Sequence, residues 1–248
     1  MTVTEFIVKW SASGAAERAN KDSFIIDLCD LLGVPRPHAS TGDPDKDTYT
    51  FERDAVFAHE GEKFTTGKID LFKDGHFILE AKQGSEESSK KLGSAKRNTP
   101  AWSIAMRDAY GQALGYARTF DTPPPFLITC DIGYCFDLYA TFDGSWDYRP
   151  FPSAQKSRLF VADLEKHIGL LRTIFTNPLS LDPSLLSAKV TREVATHLAA
   201  LARDLEGAGH PPESVAKFLM RSIFTMFAED GRGRPDDSDA NSPRFHRC

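Results

Sequence analysis

The sequence predicts an α/β domain with a mixed sheet flanked by helices, followed by a small all-helical domain. Apolar residues recur with helical spacing over residues 15–32 and 102–120, and short apolar runs of strand composition lie between and after these segments. Helices and strands that alternate in this way are typical of one sheet covered by helices. The predicted strands span residues 48–56, 68–72, 76–82, 126–130 and 134–139.

Glycine and proline mark the ends of these elements. Gly33 and Pro35 end the first helix, because glycine suits a helix C-terminus and proline cannot continue a helix. An Asp-Gly pair at residues 74–75 separates two strand-like runs, which is a strong hairpin signal. We therefore expect residues 68–72 and 76–82 to be antiparallel neighbours.

Composition divides the chain into three regions. Residues 1–155 carry the α/β pattern, and residues 156–230 carry two long helical patterns separated by Gly207, Gly209 and Pro211-Pro212. Residues 231–248 are rich in Gly, Arg, Asp, Ser and Pro, which predicts a disordered tail.

Overall charge and hydropathy exclude several classes of protein. The formal net charge of −5 over 248 residues argues against a protein that coats nucleic acid through a basic surface. No apolar run approaches the length of a membrane span, and the first ten residues lack the features of a signal peptide. We therefore expect a cytoplasmic protein without a membrane partner. The four cysteines form no C-x-x-C pair, so a structural zinc site is not predicted.

Two carboxylates and a lysine stand out at the end of the predicted hairpin. Side chains alternate along a strand, so Glu80 and Lys82 share one face of the strand 76–82, whose apolar centre indicates burial. Asp70 lies on the preceding arm, with nine residues between it and Glu80. The hairpin register is expected to place the two carboxylates close together.

This pattern suits phosphodiester hydrolysis. Mg²⁺ takes hard oxygen ligands, so we expect Asp70, Glu80 and the carbonyl of Ala81 to bind Mg²⁺ or Mn²⁺. Lys82 would orient the attacking water or offset charge in the transition state. The alternative interpretation is an ion pair without catalytic meaning, since Glu-x-Lys alone is common on strands. The complete Asp-x9-Glu-x-Lys pattern favours the metal site.

The residues around this pattern resemble a known family. The segment GKIDLF at residues 67–72, followed by ILEAK at residues 78–82, resembles the nuclease core of MmeI-like (type IIL or IIG) restriction–modification enzymes. The resemblance implies the PD-(D/E)XK restriction-endonuclease-like fold. It also implies that Asp70, Glu80 and Lys82 carry out cleavage of double-stranded DNA.

A second resemblance lies in the helix after the catalytic strand. Gln112 and Tyr116 resemble the Q-x-x-x-Y pair found at this place in many nucleases of the superfamily, and they share one helix face. They could support the site, or Tyr116 could pack in the core beside a solvated Gln112. Related nucleases also often place an acidic residue in the first helix, which makes Glu17 a further candidate for support, against a simple exposed charge.

The helical region extends the resemblance to roughly residues 15–230. Residues 218–230 are similar to the F-A-E-D helix of the family's helical spacer. In that family an adenine-specific methyltransferase domain and a target-recognition domain follow, whereas this sequence contains no N-P-P-Y/F motif. The resemblance therefore implies an N-terminal fragment, a truncated gene, or a subunit that needs a separate methyltransferase/recognition partner, with S-adenosylmethionine bound only by the missing domain.

A polar segment after the catalytic strand carries four basic residues, which are candidates for phosphate contacts. Two glutamates in the same segment suit a simple solvated loop equally well. The sequence leaves two functions open: a Mg²⁺-dependent endonuclease module, or a non-catalytic module that docks a partner subunit or DNA. The basic candidates are Lys90, Lys91, Lys96 and Arg97.

Overall fold

The computed structural model forms two compact units, Met1–Asp182 and a second that begins at Pro183. The side chains of residues 17–19, 59, 63 and 226–230 are outside the description. The residues that the structure describes are 1–13, 17–43, 45–59, 63–85 and 95–230.

A seven-stranded mixed sheet is the centre of the first unit. Its strands are β1 (Tyr49–His59), β2 (Lys63–Lys73), β3 (Phe77–Lys82), β4 (Phe126–Asp131), β5 (Cys135–Ala140), β6 (Arg149–Pro150) and β7 (Arg158–Phe160). They lie in the order β1-β2-β3-β4-β5-β6, and β7 also pairs with β5. β3 and β4 are parallel, and the other pairs are antiparallel.

Four α-helices accompany the sheet, and their starts follow from local sequence. Thr2 caps the first helix in a capping box with Glu5, and Thr99 caps the third, which begins with Pro100. Two 3₁₀ segments, Val161–Lys166 and Pro178–Leu181, flank the fourth helix. The α-helices are α1 (Val3–Ser11), α2 (Glu17–Leu32), α3 (Pro100–Ala117) and α4 (Ile168–Thr176).

Helices cover both faces of the sheet. On one face, Phe24 of α2 and Phe175 of α4 share a core with Leu79 of β3. On the other face, Ala113 of α3 packs in a core with Ile78 of β3. The predicted alternation along β3 is therefore confirmed, as is the predicted fold class of a mixed sheet flanked by helices.

The second unit contains two helices, α5 (Pro183–Gly207) and α6 (Pro212–Asp230), as the sequence predicts. The first unit extends to Asp182, and Leu171 and Phe175 of α4 belong to the sheet's core. Within the described residues, no helix combines the length and apolar character needed to cross a membrane. The predicted disordered tail, residues 231–248, lies outside the described residues.

The sequence analysis missed α1. Phe6 and Trp10 lie four residues apart on this helix, and both are buried against Phe24. The capping box at Thr2 and Glu5, followed by this apolar pair, is a sequence signal that would have predicted the helix. β6 and β7 were also missed, because strands of two and three residues carry too little pattern to detect.

Candidate active site

The site lies where β2 separates from β3. Backbone pairing between the two strands runs from Lys73–Phe77 to Leu71–Leu79, a register that places Asp70 opposite Glu80. In the described part of the strands this ladder stops at Leu71, whereas β2 continues along β1 as far as Lys63. The backbone ladder therefore ends next to the two carboxylates.

Each carboxylate binds the backbone of the opposite strand at this point. The Ala81 N–H donates to Oδ2 of Asp70 at 2.8 Å, and the Asp70 N–H donates to Oε1 of Glu80 at 3.3 Å. These bonds replace the missing ladder bonds and fix both side chains at the strand separation. Asp70 and Glu80 are therefore neighbours, as the hairpin register predicted.

Glu80 is a buried acid, with 1% of its surface exposed. Burial and, to a smaller extent, the charge of Asp70 together raise the pKa of Glu80 to about 8, against smaller opposing effects of the Asp70 N–H, Lys82 and Lys21. A carboxyl of this kind holds a proton near neutral pH unless a cation replaces the proton.

Lys82 lies two residues beyond Glu80, where β3 ends beside Asp131 of β4. Alternation along the strand places both side chains on the face covered by α3. Among the described residues, its ammonium group makes no hydrogen bond or salt bridge with another side chain. Its positive charge opposes the rise in the pKa of Glu80.

Lys21 of α2, which the sequence analysis did not connect with the site, reaches Asp70. The ammonium of Lys21 donates to Oδ1 of Asp70 at 2.8 Å and also to Oε1 of Glu52 on β1. Burial lowers the pKa of Lys21, but the bonds to Asp70 and Glu52 outweigh burial and raise that pKa overall. Lys21 therefore stays positively charged beside the two acids.

The Gln112–Tyr116 pair packs beside the site. Tyr116 is buried, and exposed Gln112 donates from Nε2 to the Tyr116 hydroxyl at 2.8 Å. Burial raises the pKa of Tyr116, and the charges of Glu80 and Asp70 contribute to the increase. The ring lies so close to β2 that a Cβ at Gly67 would be 2.4 Å from Cε1 of Tyr116. The tyrosine thus combines core packing with proximity to the two acids.

Arg97 has a different environment from the one expected. It was a candidate for phosphate contact in a polar loop, but its guanidinium is buried and bonds Asp131 through Nε and Nη2, both at 3.0 Å. Asp131 also accepts from the Trp102 indole at 2.7 Å and from the Gly84 N–H at 3.0 Å. Sequence reasoning missed this cluster because Asp131 lies 34 residues from Arg97, at the end of a largely apolar strand.

Asp131→Ala is expected to lower the free energy of unfolding by about 3–5 kcal/mol, because it removes the buried carboxylate to which the Arg97 guanidinium, the Trp102 indole and the Gly84 N–H all donate. Denaturant unfolding measures the change. Asp147→Ala is the matched control, since the Asp147–Arg149 pair is exposed and should contribute little. Equal stability of the two variants would contradict a structural role for the buried pair.

Comparison with known proteins identifies the family. Residues 1–208 match the family model described as MmeI, N-terminal domain. The chain belongs to the MmeI N-terminal domain family. Membership confirms the resemblance carried by the two hairpin strands and is consistent with a component of a restriction–modification system. Searches of curated proteins and of solved structures each found no match to the chain.

The structure describes some of the remaining predicted site residues of this MmeI-type domain and not others. Lys96 is described and exposed, and its backbone bridges to Ser85. Lys90 and Lys91 lie outside the described residues. Glu17 is the first residue of α2, and its side chain is outside the description. Of the basic candidates that the structure describes, Lys96 is thus the exposed one.

The oxygen atoms at the strand separation fit a hard divalent cation. Oε1 of Glu80 accepts the Asp70 N–H, and both Asp70 and Glu80 supply carboxylate oxygens at the strand separation. No group of three or more His, Cys, Asp or Glu side chains within the described residues is placed to hold a metal. The protein ligands would be Asp70, Glu80 and the Ala81 carbonyl. Such a set suits Mg²⁺, which usually keeps water and phosphate oxygens as further ligands.

Proposed function

We propose that this MmeI-type N-terminal domain is the Mg²⁺-dependent endonuclease module of a restriction–modification system and hydrolyses phosphodiester bonds of double-stranded DNA. The observation that supports this proposal is the pair of carboxyls, Asp70 and Glu80, fixed at one strand separation beside the Lys82 ammonium. The pair has the ligand chemistry of a Mg²⁺ or Mn²⁺ site, and the lysine adds the positive charge that a phosphate substrate needs.

Each residue has a distinct role in the proposed reaction. A divalent ion, when bound, would polarise the scissile phosphate and lower the pKa of a bound water. Asp70 and Glu80 would supply the oxygens that hold the ion, and the bond from Ala81 N–H keeps Asp70 oriented. Lys82 would donate to a phosphate oxygen or orient the attacking water, which stabilises the charge of the pentavalent transition state.

Recognition of a DNA sequence would require a partner. Sequence is read at base edges, whereas phosphate contacts carry no sequence information. A methyltransferase/recognition module would supply specificity, and S-adenosylmethionine would be the cofactor of that module. We expect the module alone to cut weakly and without sequence preference. We also propose that it acts in the cytoplasm.

Cleavage of supercoiled plasmid by the chain with Mg²⁺ or Mn²⁺, and its loss with EDTA, tests this function. Asp70→Asn should reduce the rate by at least about 100-fold, because metal-ion catalysis contributes several kcal/mol to transition-state stabilisation. Asparagine keeps an oxygen that can accept the Ala81 N–H. Asp147→Asn, which changes an exposed carboxylate, is the control. Plasmid cutting that survives in both Asp70→Asn and Lys82→Met would refute the site assignment.

A second candidate is a non-catalytic module that docks a methyltransferase subunit or DNA. The observation in its favour is the ion pair between Lys21 and Asp70, which resembles a purely structural contact. In that case the chain would show no metal-dependent cutting, and Asp70→Asn would change stability alone.

A further inference from the structure

Lys21 places a positive charge between two carboxylates at the candidate site. Its side chain is 9% exposed, whereas the side chains of Asp70 and Glu52 are 15% and 50% exposed. The lysine comes from α2, Glu52 from β1 and Asp70 from β2, so three elements meet at this ammonium. The ion pair is thus partly shielded from water, which makes its charges more effective than those of an exposed pair.

The lysine also completes the fixation of Asp70. Oδ1 of Asp70 accepts from Lys21 and Oδ2 accepts from the Ala81 N–H, each at 2.8 Å. A carboxylate with a donor on each oxygen cannot rotate freely about its χ2 angle. The Ala81 donor is a backbone N–H, whereas the Lys21 donor is a side chain. A substitution of Lys21 can therefore release Asp70 from one of its two donors.

Glu52 balances the charge of Lys21, and its backbone is held in an unusual conformation. Glu52 lies in a strand at the position opposite Asp70, yet its φ is +53°, in the left-handed region that non-glycine residues rarely adopt. Such a conformation persists where the surrounding contacts require it, and it is most common at functional sites. The bond to Lys21 is a contact of this kind.

We propose that Lys21 is a positioning residue for Asp70 and that the Lys21–Glu52 pair sets the affinity of the Asp70–Glu80 site for a divalent ion. This inference rests on the metal site of the proposed function. The ammonium repels a divalent ion, and Glu52 cancels much of that repulsion. Removal of either partner alone therefore changes the net charge beside the site by one unit, in opposite directions.

Mn²⁺ binding to the EDTA-stripped, dialysed chain tests the charge balance without reference to activity. Lys21→Met leaves Glu52 uncompensated and should tighten Mn²⁺ binding roughly tenfold, whereas Glu52→Gln leaves Lys21 uncompensated and should weaken it by a similar factor. The free-ion signal in electron paramagnetic resonance reports the dissociation constant. Asp70→Asn should remove the binding and so assigns it to this site.

Plasmid cleavage at saturating Mn²⁺ tests the positioning role. Lys21→Met should lower kcat by roughly tenfold or more despite tighter metal binding, because a released carboxylate no longer holds the reacting groups in place. Lys21→Arg keeps the charge and the donors, so both the dissociation constant and kcat should return towards the parental values. A purely structural lysine would not separate metal affinity from kcat in this way.

Two controls make the result decisive. Lys166→Met breaks an exposed Lys–Asp pair remote in sequence and should change neither quantity. Thermal unfolding of every variant checks the fold, and Glu52→Gln provides the test if Lys21→Met does not fold. Shifts of the same sign in Lys21→Met and Glu52→Gln, or no shift in either, would overturn the inference.

The outcomes also separate this inference from the proposed function. A parent chain that binds no Mn²⁺ at millimolar concentration overturns both. A chain that binds Mn²⁺ with the expected opposite shifts, yet does not cut DNA, supports the charge balance and overturns the nuclease function. A chain that cuts DNA while Lys21→Met leaves binding and kcat unchanged overturns the inference alone.

Discussion

Lys82→Met is expected to lower the rate of Mg²⁺-dependent plasmid cleavage by about 100- to 1000-fold, the usual effect of losing one group that stabilises transition-state charge. The Lys82 ammonium has no salt-bridge partner among the described residues, so no carboxylate in this part of the fold neutralises its charge in a salt bridge. Methionine keeps an unbranched side chain of similar size and removes only the charge and the donors. Initial rates at saturating DNA and Mg²⁺ measure the effect.

Lys156→Met is the matched control, because Lys156 is exposed in the loop between β6 and β7. It should leave the rate unchanged, and both variants should keep the parental unfolding midpoint. A Lys82→Met protein that cuts at the parental rate would remove this lysine from the mechanism. A variant that loses stability would instead assign Lys82 a structural role.

Glu80→Gln is expected to stabilise the metal-free chain at alkaline pH by a few kcal/mol, on the order of 1.4 kcal/mol for each unit of pKa shift. The native pKa of Glu80 is raised from 4.5 to about 8, first by burial and then by the charge of Asp70. Below about pH 4.5 both the native and the unfolded state hold the proton. Between these values the native state holds a proton that the unfolded state has released, so stability falls as the pH rises.

The difference between the parent and Glu80→Gln isolates this group from other titrations. Denaturant unfolding in EDTA from pH 4 to pH 9 should give two curves that agree in acid and diverge towards pH 8. Glu165→Gln, which changes an exposed carboxyl on the same unit, should follow the parental curve. Parallel curves for the parent and Glu80→Gln across the whole range would contradict the raised pKa.

The hairpin that carries the site could be predicted from local sequence alone. The Asp-Gly turn sets the register of β2 and β3. Alternation along β3 places the side chains of Leu79 and Glu80 on opposite faces of the sheet. Both signals act within a few residues, so periodicity and turn chemistry reveal them. The sequence therefore predicts that Asp70 and Glu80 are neighbours.

The other charged partners depend on contacts between distant parts of the chain. Lys21 meets Glu52 and Asp70 across 31 and 49 residues, and nothing in α2 alone distinguishes this lysine from an exposed one. Arg97 similarly finds Asp131 across 34 residues, so a basic residue next to a polar loop proved to be buried. Pairings of this kind follow from the packing of elements, which a single sequence does not specify.

The antiparallel register of β2 and β3 also restricts how the interval between the two acids can vary among relatives. Asp70 faces Glu80 because each step away from the turn on one arm is matched by a step on the other. An insertion of one residue into either arm would shift every pair beyond it and turn one acid towards the opposite face. Evolution would therefore lengthen or shorten this hairpin in matched steps on both arms, and an odd change would need a bulge to absorb it.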